Sequence, residues 1–266
     1  MQDFLTNQTA ATASASGRLR EFNLAMFGLH LIQGLLILWL STDFELPVTT
    51  SFLEFDESAE QLVPVDNTIA QVRLGPLVAS FLFVSAFAHL TISLPVVYGW
   101  YRDNLNRGIN YVRWYEYAIS ASLMIVLIGM LVGVYDLSAL ILLFTVNAAM
   151  IFFGLVMEVQ NKGSQQVNWT PFTLGCLVGI VPWAIITLYL FAPATREPGD
   201  VPTFVYGIYV SLFLFFNAFA VNMFLQYRRL GPWRDYLFGE RAYIFLSLTA
   251  KSALAWQVFA GTLRDV

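Results

Sequence analysis

Charge is scarce in this chain. Only 12% of its 266 residues are Asp, Glu, Lys or Arg, while 58% are apolar. Soluble domains carry about 25% charged and 45–50% apolar residues. With half the usual charge, the chain cannot clothe a soluble domain in a polar surface. Cysteine is nearly absent too. The one cysteine, Cys176, excludes an internal disulfide and a cysteine metal cluster. Basic excess is missing: the net charge is −4 and the pI about 5.1, against the basic patch that nucleic-acid binding requires. Residues 1–17 are polar and rich in Thr, Ala and Ser. They lack the basic-then-apolar layout of a cleavable signal, so the first apolar run is expected to be the anchor.

What the chain does have is long apolar runs, and its mean hydropathy is +0.64. A helix spanning a bilayer needs roughly 20 mostly apolar residues. Seven runs qualify, at 20–42, 75–101, 108–134, 138–160, 169–193, 201–227 and 242–263. Pro95, Gly129, Gly133 and Pro182 fall inside them, as membrane helices tolerate. Trp100, Tyr101, Trp114, Tyr135, Trp169, Tyr227 and Trp233 sit near span ends, where aromatic rings anchor at the interface. The expectation is an all-α membrane protein: one seven-helix domain over 1–266, with termini on opposite sides.

The first connection, 43–74, is long and acidic, with Asp43, Glu45, Glu54, Asp56, Glu57, Glu60 and Asp66. Its second half, Leu62 to Leu74, mixes apolar and polar residues around Asp66-Asn67. That reads as a small β-hairpin outside the bilayer. A disordered acidic loop is the alternative.

Orientation follows the basic residues. One side holds Arg18, Arg20, Arg102, Arg107, Arg113, Lys162, Arg228, Arg229, Arg234 and Arg241, and the other only Arg73, Arg196 and Arg264. The positive-inside rule then puts the N-terminus in the cytoplasm and the C-terminus and acidic connection outside.

Two ionisable groups fall deep in apolar runs, Lys251 and Glu116. A charge at the bilayer centre costs on the order of 3 kcal/mol on insertion scales, so such groups usually mark a site. Lys251 lies about ten residues past Arg241, roughly 15 Å deep, and Glu116 about nine past Arg107, roughly 13 Å deep. Groups in one layer can neutralise each other. Glu116 reads as the only carboxylate within the membrane. Arg113 shares its helix face. His30 and His89 fall near the same depth. Four polar groups at one level point to an internal cavity, although each histidine alone could be a structural one bonded to a carbonyl. Two histidines, one carboxylate and no cysteine make a poor metal site. A desolvated lysine can form a Schiff base, whose protonated form needs a counter-ion. The alternative is a plain structural ion pair.

The run Ser247-Leu248-Thr249-Ala250-Lys251-Ser252-Ala253-Leu254-Ala255-Trp256-Gln257 resembles the retinal-lysine helix of the heliorhodopsins. Arg113-Trp114-Tyr115-Glu116-Tyr117-Ala118-Ile119-Ser120 resembles that family's third helix. The seven spans, the long first loop and the inverted orientation extend the likeness over nearly the whole chain. The resemblance implies all-trans retinal on Lys251 as a protonated Schiff base with Glu116 as counter-ion. It implies that Ser247 bonds near the Schiff base and Ser120 bonds Glu116. His30 and His89, with Arg113 beside them, match a polar cavity that takes up a released proton. Asn147 and Met150 match pocket positions. Tyr209, Phe213, Phe216 and Trp256 are placed to pack on the polyene, with ordinary core packing as the alternative. The family also forms homodimers, which would give the acidic loop a structural role.

The implied function is a light sensor of the plasma membrane rather than an enzyme. Retinal isomerises from all-trans to 13-cis, a proton leaves the Schiff base and returns, and no ion is pumped. No second carboxylate is read deep in spans 3 or 7, and the residue eleven past Glu116 is Leu127. A light-driven proton transporter or channel on the same scaffold is one alternative. A retinal-free transporter or interaction protein is the other. A signalling role implies a cytoplasmic partner, yet Arg228, Arg229 and Arg234 read as obeying the charge rule more than as a docking motif.

Overall fold

The structure, a computed structural model, describes residues 2–191 and 201–264, with side chains from Arg18 onward. Arg196 and the final residues of the 169–193 run lie outside the described residues. The elements are α1 (Gln2–Leu40), β1 (Glu45–Asp56), β2 (Gln61–Arg73), α2 (Leu74–Ser93), α3 (Pro95–Leu105), α4 (Tyr111–Leu131), α5 (Leu137–Asn161), α6 (Thr170–Phe191), α7 (Thr203–Arg228) and α8 (Tyr236–Val258). A 3-10 turn at Gly231–Arg234 precedes α8, and a π-helical turn at Phe259–Leu263 ends it. Among the described residues, seven helices are long and apolar enough to cross a membrane: Arg18–Leu40 within α1, then α2, α4, α5, α6, α7 and Tyr236–Leu263.

Apolar residues run around most of each helix, so burial is one-sided. Ile32, Leu35, Phe87, Leu142, Leu177, Ile180, Leu188 and Leu214 are exposed on the bundle's outside. In water that surface would be costly, whereas in lipid it is the expected finish. The inward stripes build one core, with Phe81, Leu82, Ile125, Leu127, Ile186, Ile208, Leu212, Leu254 and Val258 at most 1% exposed.

Helix starts follow from short polar side chains that satisfy free N–H groups. Asn110 caps α4 by accepting from Arg113 N, Asp136 caps α5 from Ala139 N, and Asp235 caps α8 from Leu237 N. Gly133, at φ 100°, allows the tight passage from α4 to α5.

The expected unbroken span at 75–101 is not found. The chain leaves helical geometry at Leu94 (φ −65°, ψ 139°) and restarts as α3 at Pro95. Proline lacks an N–H, and its ring pushes the preceding residue toward extended geometry. Pro182, by contrast, sits inside an uninterrupted α6.

The acidic connection is an antiparallel hairpin with a β-bulge between Val48 and Thr49. Its turn is not at Asp66-Asn67, which pair with Ser51 and Thr50 in mid-strand. The chain reverses at Glu57–Glu60 instead. There the Asp56 carboxylate accepts from Ser58 N (2.8 Å), Ser58 Oγ (2.6 Å) and Ala59 N (3.2 Å), and Glu60 takes φ 50°. These donors, the Ser58 hydroxyl foremost, hold Asp56 below the usual carboxylate range. The hairpin base is tied to the end of the bundle. Thr49 N donates to Tyr135 O (2.9 Å), Leu74 N to Phe44 O (3.0 Å) and Thr42 N to Leu263 O (3.0 Å), while Arg73 pairs with Asp43.

Candidate functional site

Lys251 is buried on α8 and Glu116 on α4. Lys251 Nζ donates to Glu116 Oε1 at 2.8 Å and to Ser247 Oγ, one turn earlier, at 2.7 Å. The Tyr117 ring centre lies 5.0 Å from the same nitrogen. A second hydroxyl reaches the carboxylate: Ser85 Oγ on α2 donates to Glu116 Oε1 at 2.6 Å. Ser120, the residue singled out for that role by resemblance, is buried next to Glu116. Its hydroxyl also bears on the carboxylate, and Ser85 adds to it from across the helix interface.

A cleft opens beside Lys251 between α4, α5, α6, α7 and α8. Its wall is almost wholly apolar, as small-molecule sites are. Trp114, Tyr117, Met124, Met150, Phe216 and Tyr243 line it, with Ser247 and Lys251 at one end. Missing methyl groups shape it. A Cβ at Gly154 would come within 2.3 Å of the Trp114 ring, and one at Gly179 within 2.5 Å of Met150 Sδ. A long apolar molecule with one end on an amine fits these walls.

Several residues assigned to such a pocket lie elsewhere. Trp256 donates its indole N–H to Gln33 Oε1 on α1 (3.0 Å) and packs on Phe259. Five positions past Lys251 is a turn of about 140° around the helix, which carries the ring off the cleft. Asn147 donates to Ser122 Oγ at 3.0 Å and does not line the cleft. Tyr209, Phe213 and Phe216 share one face of α7 and pack edge-on against Trp183 at 5.8, 5.2 and 5.5 Å. Only Phe216 also reaches the cleft. For Tyr209, Phe213 and Trp256 the packing alternative describes the contacts found.

On the other side of Glu116 the surroundings turn polar. His30 and His89 stack with ring centres 5.7 Å apart and planes 11° from parallel. His89 Nδ1 is 2.8 Å from Asn23 Oδ1. Both His30 ring nitrogens are buried without a partner. Asn23, His89, Tyr101, Asn110, Arg113 and Glu116 line a small cavity that continues toward the end of the bundle opposite the hairpin.

Glu116 is not the only buried carboxylate. Glu158 on α5 and Glu240 on α8 are 2% and 0% exposed, and both bind the Arg113 guanidinium. Arg113 therefore lines the cavity but pairs with these two acids rather than with Glu116. It also packs over the rings of Trp114 (4.5 Å) and Tyr243 (4.0 Å). Both acids stand near span ends in the sequence, where a charge ordinarily meets the interface. The sequence signal that remains is one basic and two acidic residues at matching depth on three helices.

Seven membrane helices with a buried lysine–carboxylate pair beside an apolar cleft define the fold class of the microbial rhodopsins. The crystal structure of a light-driven proton pump LR (Mac) from Leptosphaeria maculans shares this fold: TM-score 0.64, 14% identity, with 91% of this chain and 94% of that one covered. No curated protein sequence is significantly similar to the chain. The sequence profile of the heliorhodopsins matches residues 19–263, and the chain belongs to that family. Membership makes it a membrane-embedded rhodopsin with a retinal chromophore.

Proposed function

We propose that the protein is a light sensor in which Lys251 carries all-trans retinal through a carbon–nitrogen double bond and Glu116 balances the resulting positive charge. The 2.8 Å contact between these two buried groups, at the end of an apolar cleft, carries this reading. Held there by Lys251 with Glu116 beside it, retinal would supply a polyene that absorbs visible light and isomerises from all-trans to 13-cis.

The protein's own groups then manage one proton. Ser247 Oγ accepts from the Lys251 nitrogen in the dark and fixes its direction toward Glu116. Ser85 donates to the carboxylate and holds it in position. Glu116, with His30, His89 and Asn23 beyond it, would hold a proton released from the Lys251 nitrogen until it returned. Trp114, Tyr117 and Phe216 hold the cleft walls and keep bulk water from the nitrogen. The protein sits in the plasma membrane with its N-terminus in the cytoplasm, following the ten-to-three split of basic residues. The hairpin then faces outward and supports a homodimer, and a cytoplasmic partner reads the light-driven state.

Net pumping needs a second relay toward the hairpin end. No buried Asp, Glu, Lys, Arg or His occupies that half among the described residues. A light-driven proton transporter or channel is the competing reading, since the polar cavity already forms half of a path. Illuminated cells or vesicles separate the two. A sensor gives no light-induced pH change, and a change abolished by a protonophore would replace the sensor with a transporter.

A further inference from the structure

A groove runs along the outside of the bundle between α2 and α4. Phe87 and Ala88 of α2 form one wall, Val112, Tyr115 and Ile119 of α4 form the other, and Glu116 lies at the bottom. After the break at Leu94, α3 brings Trp100 onto Tyr111 with ring centres 6.2 Å apart, and this stack stands at the groove's end opposite the hairpin. The rims are open to the surroundings: Phe87 is 71% exposed, Tyr115 56% and Ile119 47%. A bilayer core holds no water to fill such a recess, so hydrocarbon fills it. The floor is shared. Ala88, Val112 and Glu116 line both this groove and the polar cavity that reaches His89. These three side chains form a wall one residue thick between lipid and that cavity.

Length, ring placement and charge say which hydrocarbon. The eight residues from Tyr111 to Ile119 advance about 12 Å along α4. One leaflet of a hydrocarbon core about 30 Å thick is about 15 Å deep, so the groove matches one acyl chain running from the interface toward the membrane centre. Tryptophan and tyrosine gather at headgroup level, which sets the Trp100–Tyr111 stack beside a lipid's polar end. Arg107, exposed in the turn four residues before Tyr111, makes no ion pair among the described residues, whereas Arg102 is held by Asp103 at 3.2 Å. An anionic phosphate complements that free guanidinium. A helix of a second copy fits less well. Close contact between membrane helices needs small residues, and the rims here are Phe87 and Tyr115.

We propose that this groove is a binding site for one membrane phospholipid, with an acyl chain against the Ala88–Val112–Glu116 wall and the phosphate at Arg107. The seated chain covers the outer side of that wall. The site stands on the shape and charge of the α2–α4 surface, and it holds whether or not Lys251 carries retinal.

Native mass spectrometry of the full chain in mild detergent tests it, with phosphatidylglycerol and phosphatidylcholine as probes. The wild type should keep one phospholipid per chain and prefer the anionic one. Ala88→Phe, which fills the groove, should weaken retention at least tenfold. Arg107→Gln should erase the preference while leaving phosphatidylcholine bound. A wild-type chain that keeps no lipid overturns the site, as does retention unchanged by Ala88→Phe, and a preference that survives Arg107→Gln overturns the headgroup placement. Should the phenylalanine variant not accumulate, phosphatidylglycerol with a photoreactive acyl chain decides on the wild type in vesicles. Label should concentrate on residues 87–91 and 111–119. Label spread evenly over the outer faces of α6 and α7 overturns the proposal, and so does a groove shielded from label in a dimer but labelled in a monomer, which would assign it to a second copy.

Discussion

The two halves of the bundle are built on opposite principles. The half near the hairpin is sealed by Leu82, Ile125, Leu127, Ile208, Leu212 and Leu254, all at 0% exposure. Its polar contacts are neutral pairs such as Asn147 with Ser122 and Thr187 with Tyr209. The other half holds Glu116, His30, His89, Arg113, Glu158 and Glu240, joined by asparagines and hydroxyls. Lys251 stands at the boundary. Buried ionisable groups therefore lie on one side of that level, and on the other the described residues hold none.

That contrast can be broken at its boundary first. Lys251→Ala should abolish the visible band formed when retinal is added to the expressed protein, and a retained band would remove Lys251 from its role. Next in size is the polar half. Arg113→Gln leaves Glu158 and Glu240 facing each other without a cation, which should destabilise the fold by about 3–5 kcal/mol. Unfolding in denaturant measures this, and a loss below about 1 kcal/mol would show that the cluster already holds a proton. Glu116→Gln should keep the pigment but shift its absorption to the red, because the negative field near the nitrogen is lost. An unchanged spectrum would take Glu116 out of the counter-ion role. The smallest effect belongs to the apolar half. Ile125→Val should cost about 0.5–1.5 kcal/mol with colour unchanged. A colour shift from that substitution would mean that the two halves are coupled more tightly than their packing indicates.

The seven spans were readable because a membrane helix must be apolar for its whole length, a constraint that leaves a trace in composition. The common depth of Lys251 and Glu116 was readable for a similar reason. Rise per residue is fixed, so counting from the last interfacial arginine gives height. Rotation about the helix axis is a different matter. It set Trp256 against α1, Asn147 against Ser122 and Ser85 against Glu116, and nothing local in the sequence fixes how one helix turns relative to the next. Glu158 and Glu240 were obscured by their places near span ends, where charges usually reach water. In the hairpin, Asp66-Asn67 has the residue types of a turn but sits in a strand. The true reversal uses no glycine and relies on the Asp56 side chain.

The bond from Thr42 N to Leu263 O clasps the exit of the first span to the foot of the last. α8 is therefore pinned at its hairpin end by this clasp, and at its other end by the Arg113–Glu240 pair and the bond from Asn222 Nδ2 to Gly239 O (3.2 Å). Fastened at both ends, the helix that carries Lys251 could slide along its axis only by undoing one of these ties.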